Sequence, residues 1–136
     1  MSVFVDANVF LRLLTEDDER QAEQASQLFI AAREGKVQLI TGPPVLFELA
    51  WSLRTAFDLS RAQILDALAR IAAMPGLKLL DAELVQQALA LALEHGMEFA
   101  DAYIAATAQA QRSSVATFNT KDFKRSGLKL RSWTEA

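Results

Sequence analysis

Apolar residues recur along the chain in two rhythms. Short continuous runs at Val3 to Val5, Val37 to Thr41 and Ser114 to Phe118 have the length and β-branched content of strands buried on both faces. Leu77 to Leu80, after the Pro75-Gly76 turn, predicts another, and the short basic run Leu128 to Arg131 suits a sheet edge. Between them apolar positions return at helical spacing, as at Ile64, Leu65, Leu68, Ile71 and Ala72.

Local signals punctuate the helical segments. Thr15-Glu16-Asp17-Asp18 offers a cap and three acids to the positive end of a helix running to about Glu34 and stopped by Gly35. Pro43 suits the first turn of a second helix, and Ser60-Arg61-Ala62-Gln63 is a capping box for a third. Asp81 to His95, closed by Gly96, is a fourth, and Phe99 to Arg112 an alanine-rich fifth. A short helix precedes the last strand-like run. This alternation predicts an α/β fold: one domain over residues 1–136, with a central, mostly parallel sheet of four to five strands and helices on both faces.

Composition narrows the chemistry. The 136 residues suit one domain, and 51% hydrophobic with 23% charged residues is a globular balance. The absence of cysteine excludes disulfides, thiolate metal sites and a cysteine nucleophile. MSVFVD has no basic n-region, and the apolar runs fall short of the ~20 residues of a membrane span, so a soluble, cytoplasmic protein without membrane contact is expected. The net charge of -3 is unevenly spread. Residues 112–136 hold six basic and two acidic side chains, a balance of +4, which leaves 8 basic and 15 acidic, or -7, for the rest. A basic tail on an acidic body can face a polyanion, though an ordinary solvated surface explains the charge equally well.

In an open parallel sheet, ligands bind beyond the carboxyl ends of the strands, so acids there matter most. Asp6 directly follows the first run, and Asp122 follows the run that reaches Thr117. Glu48 is the only charge between Pro43 and Leu53, and Asp101 stands among small and apolar residues. Each has a plain structural alternative. Asp6 or Asn8 would cap the helix after the first strand, Asp101 would favour a helix N-terminus, and Glu48 would pair with Arg54 or Arg12. Taken together, four carboxylates in one crevice would repel unless a divalent cation held them. Oxygen ligands without histidine or cysteine suit Mg²⁺ or Mn²⁺, the chemistry of phosphodiester hydrolysis. His95, the only histidine, sits where it would cap a helix end, and Trp51 and Phe57 are expected in core or dimer packing.

The segments VFVDANVFLRLL, GPPVLFELAWSL, MEFADAYIAATA and VATFNTKDFKRSGLKL, in this order and spacing, resemble a PIN domain over essentially the full length. The likeness is to the VapC-like toxin ribonucleases of bacterial and archaeal toxin–antitoxin pairs. It implies a Mg²⁺-dependent endoribonuclease, Mn²⁺ being a possible substitute, with an RNA substrate, a cognate antitoxin and a homodimeric state. Phe47, Trp51 and Leu53 would contribute to the dimer. Carried over, Asp6 and Asp101 would be the principal metal ligands, and Glu48 would bind metal or orient the attacking water. The fourth acid falls where the chain offers Asn119 and Asp122; Asp122 is favoured, with Asn119 hydrogen-bonding near the metal. Asn8 and Thr117 would orient carboxylates or water, and Lys121, Lys124, Arg125 and Arg131 would contact RNA phosphates. One or two ions are both compatible with in-line attack of water on phosphorus.

Other classes fit less well. A response-regulator receiver would need an acidic pair after the first strand and a lysine–proline step late in the chain. A haloacid-dehalogenase phosphatase would need a second aspartate where Asn8 stands. A PIN fold that binds RNA or acts as a scaffold with little catalysis is the serious rival, because a fold does not fix an activity.

Overall fold

The computed structural model describes residues 2–15 and 17–134, so Glu16 of the acidic run and Glu135 of the tail lie outside the described residues. The chain divides into two compact units, Met1–Ala82 and Glu83–Ala136.

The first unit alternates strands with pairs of helices. In chain order these are β1 (Ser2–Phe4), α1 (Ala7–Thr15), α2 (Glu19–Arg33), β2 (Gln38–Thr41), α3 (Pro43–Thr55), α4 (Arg61–Ala72) and β3 (Leu77–Leu79). The strands form a parallel sheet in the order β1-β2-β3, with Val3 opposite Leu39 and Leu39 opposite Leu77. Parallel neighbours need a crossover, and each helix pair supplies one. α1 packs on α2 and α3, and α3 packs on α4. Phe10 meets Phe29 with ring centroids 5.5 Å apart, and Leu39, Leu46, Leu49, Leu53, Leu68 and Ile71 are fully buried. Each such side chain contributes about 1.5–3 kcal/mol by leaving water.

Most helix ends follow the local signals. Ser60 and Gln63 form the capping box of α4, and Pro43 opens α3 behind Gly42. Gly35 adopts φ +77° just beyond α2. The first helical segment differs from expectation: Thr15 ends α1, its hydroxyl donating to the Leu11 carbonyl (2.6 Å), and Asp18 caps α2 by accepting from the Gln21 N–H. Thr15 and Arg12 both reach Asp17 at 2.9 Å, and these contacts hold its carboxyl below the usual range.

In the second unit, α5 (Ala82–His95), α6 (Phe99–Ala110) and the short α7 (Thr120–Lys124) alternate with extended segments. The sequence predicts strands at Ser114 to Phe118 and Leu128 to Arg131. Instead one parallel bridge forms, Val115 with Leu130, and three strands are present among the described residues. The ladder stops because Thr117 is diverted: its hydroxyl accepts from the Asn119 N–H and its carbonyl from Trp133 Nε1. No helix among the described residues is long and apolar enough to cross a membrane.

Gly76 combines φ +79° with a close approach to α2, where an added Cβ would lie 2.6 Å from the Ala32 carbonyl oxygen. Gly76→Ala is therefore expected to lose ~1–3 kcal/mol of stability. Urea unfolding measures the loss; an unchanged midpoint would show that the turn relaxes away from α2.

Candidate functional site

In the first unit, parallel strands bring the segments after β1 and β2 to one edge of the sheet. Thr41, the last residue of β2, is fully buried and donates its hydroxyl to the Val5 carbonyl at 3.1 Å. Val5 donates its own N–H to the Ile40 carbonyl at 2.8 Å, so the residue before Asp6 is fixed from two sides. Asp6 is exposed, and one of its carboxylate oxygens accepts the Ala7 N–H at 2.8 Å at the start of α1. This bond to the adjacent residue is not the N2 or N3 bond of a helix cap, but it aims the carboxylate. Asn8 is exposed within α1, lines a cleft of about 450 Å³ with Arg12, Gln21 and Leu28, and makes no hydrogen bond to Asp6.

Glu48 is exposed on α3, while its neighbours Val45, Leu46 and Leu49, with Leu53, are buried. It therefore occupies the wet edge of the helix. Arg12 is engaged with Asp17 rather than Glu48. Trp51 shares that wet face at 70% exposure, which removes it from the core, while Leu53 is buried and cannot reach a second copy.

In the second unit, Asp101 lies half-buried in the first turn of α6. Burial pushes its carboxyl above the usual aspartate range, and the charges of Asp122 and Glu98 push it the same way. Asn119 and Asp122, expected as alternatives, act as a pair: Asn119 Nδ2 donates to Asp122 Oδ2 at 2.7 Å. Thr117 holds the Asn119 backbone at 2.9 Å, so the relay Thr117–Asn119–Asp122 sets the position of the acid. Lys121, Lys124, Arg125 and Arg131 are all exposed, and Arg125 donates to the Gly96 carbonyl (3.4 Å) beyond the end of α5. His95 ends α5, with Nε2 3.8 Å from the Glu94 carboxylate.

Two residues escaped the sequence reading. Thr41 was legible only as the polar end of an apolar strand, and Glu98 only as an acid three residues before Asp101. The donor set is entirely oxygen, which fits a hard divalent cation, and a cation would relieve the repulsion felt by Asp101. Among the described residues no group of three or more His, Asp or Glu already stands gathered for a metal ion.

The PIN-domain family model matches residues 3–127 of the chain. No curated protein matches it. Among solved structures it is similar to a chain of VapBC2 from Rickettsia felis, crystallised bound to a DNA fragment from their promoter. That similarity has 19% identity, covers 98% of this chain and 99% of that one, and has a TM-score of 0.40.

Two outcomes follow from these surroundings. Because the folded state raises the Asp101 value, its stabilising contribution is complete below the ordinary aspartate range and is lost as pH rises through the raised value. Asp101→Asn is expected to be more stable than wild type at neutral pH, the gap closing towards about pH 4; urea midpoints across that interval check the sign. Thr41→Val should cost about 1–3 kcal/mol by withdrawing a buried donor from the Val5 carbonyl, read in the same titration at neutral pH.

Proposed function

The chain belongs to the PIN-domain family, and from that premise we propose that it is a divalent-metal-dependent endoribonuclease, acting as the toxin of a toxin–antitoxin pair. What supports the chemistry is the setting of Asp101: half-buried in the first turn of α6, its carboxyl is pushed above the usual aspartate range by burial first and by the charges of Asp122 and Glu98 after it, and a cation would offset both. Mg²⁺, or Mn²⁺ in its place, would supply Lewis acidity to the phosphoryl group and to the attacking water.

The protein's own groups then have separate tasks. Asp6 and Asp101 are the principal ligands in this reading. Asp6 is supported by a strand end with one oxygen already anchored on Ala7, and Asp101 by the first turn of α6. Glu48, on the wet face of α3, binds metal or orients water, and Asp122 is aimed by Asn119. Lys121 and Lys124 attract RNA phosphates. Arg125 has a structural bond to Gly96 and so contributes less directly. Inhibition by an antitoxin and pairing with a second copy belong to the same proposal. Exposed Trp51 is the α3 residue that best suits contact with a partner copy.

The lack of a preassembled three-acid cluster among the described residues favours one other reading, an RNA-binding module with little catalysis. Incubation with total RNA separates the two. Cleavage is expected with Mg²⁺, abolished by chelator, and reduced at least ~100-fold in Asp6→Asn and Asp101→Asn. Cleavage surviving chelation or both substitutions would sink the metal-nuclease reading, and RNA retention without cleavage under any condition would select the binding module. Asp6→Asn keeps an oxygen for the Ala7 N–H, so its stability should stay within about 0.5 kcal/mol of wild type.

A further inference from the structure

The bridge between Val115 and Leu130 lays the two segments that carry it side by side. Val115 donates its N–H to the Lys129 carbonyl at 3.0 Å and accepts the Arg131 N–H at 2.9 Å. Three residues further along each segment are Phe118, at a bend, and Trp133, in a turn. Their rings meet there face to face, with centroids 4.5 Å apart and planes 8° from parallel, and Trp133 Nε1 is tied to the Thr117 carbonyl at 3.3 Å. Phe118 is nevertheless 87% exposed and Trp133 57%. Two large aromatic side chains are thus fixed in a parallel stack and left in water, where burial would have stabilised the fold.

The surrounding charge says what chemistry would cover them. Lys121 and Lys124 on α7 and Lys129 beside the bridge are exposed, within a tail whose balance is +4. A planar apolar step carried by a basic segment complements a polyanion that carries flat rings. Only unpaired bases offer a free π-face, whereas in a duplex those faces are already stacked.

We propose that the Phe118–Trp133 stack is a platform on which an unpaired nucleobase of the bound RNA packs, with Lys121, Lys124 and Lys129 on the flanking phosphates. The inference rests on the RNA reading above and names the surface that grips a base. A base would extend the existing stack, and Thr117 would hold both the indole and, through Asn119, the Asp122 carboxylate.

The test measures binding of a short oligouridylate in chelator, so that hydrolysis plays no part, using Trp51→Phe protein in which Trp133 is the remaining tryptophan. Addition of RNA should quench its fluorescence. Phe118→Ala and, followed by anisotropy of labelled RNA, Trp133→Ala should each weaken binding about tenfold. Trp133→Phe should stay within about threefold of wild type, because it keeps a stacking face. An abasic oligomer and a duplex should bind wild type and the ring variants alike. Lys121→Gln with Lys124→Gln should flatten the salt dependence, which the ring variants leave unchanged. Circular dichroism establishes that each variant is folded. Undiminished affinity in both folded alanine variants overturns the proposal, as does equal wild-type affinity for duplex and single strand, or a requirement for the rings only in self-association or protein binding. A protein that cleaves RNA yet ignores ring removal defeats this inference alone. One that stacks single strands but cleaves nothing defeats only the nuclease reading.

Discussion

The buried hydroxyl of Thr41 ties together the strand ends of the first unit. Three short parallel strands have few ladder bonds, and their carboxyl ends are where the backbone must leave the sheet for a helix. At that point Thr41 spends its side chain on the carbonyl of Val5, one residue before Asp6. A buried polar group is tolerated only when satisfied. The bond therefore both removes a liability and locks the strand end. Asp6 inherits that rigidity, and the turn through Gly42 into Pro43 starts α3 from the same fixed edge.

The second unit reaches a similar result by other means. No regular strand supports Asp122; a relay of Thr117 and Asn119 does, each link a hydrogen bond of 2.7–2.9 Å. The cost falls on Asp101, which sits where burial and two neighbouring carboxylates all oppose its ionisation. A helix first turn ordinarily favours an acid there by about 0.3–1 kcal/mol. Desolvation, and after it the repulsion of the two carboxylates, outweighs this help and pushes the carboxyl upward.

Features determined within one turn of chain were legible in the sequence. The capping box at Ser60, the proline at the start of α3 and the glycine stop after α2 depend on neighbours three or four residues away and appear as expected. The swap of Thr15 for Asp18 as a cap came from two good capping residues competing over four positions, decided by where α1 ends. Glu48 illustrates another limit: its apolar neighbours in sequence are buried while it is exposed, so its isolation among them reported the core's position, not its own. Asn119 and Asp122, three residues apart, had the spacing of partners, but their bond needs a turn whose shape Thr117 determines. The missing fourth strand had the same origin, since apolar content cannot reveal that a hydroxyl and an indole will divert the backbone groups a ladder needs.

The bridge at Val115 also has a kinetic side. Two backbone hydrogen bonds and one ring stack hold residues 129–133 to the segment before α7, a small cooperative unit compared with the sheet of the first unit. Amide protection at Val115 and Arg131 reports the opening of that unit directly, since both N–H groups belong to the bridge. So few bonds give that unit a low opening free energy, and the aromatic pair therefore persists only as long as the bridge does, whereas the strand end before Asp6 is held for as long as the sheet.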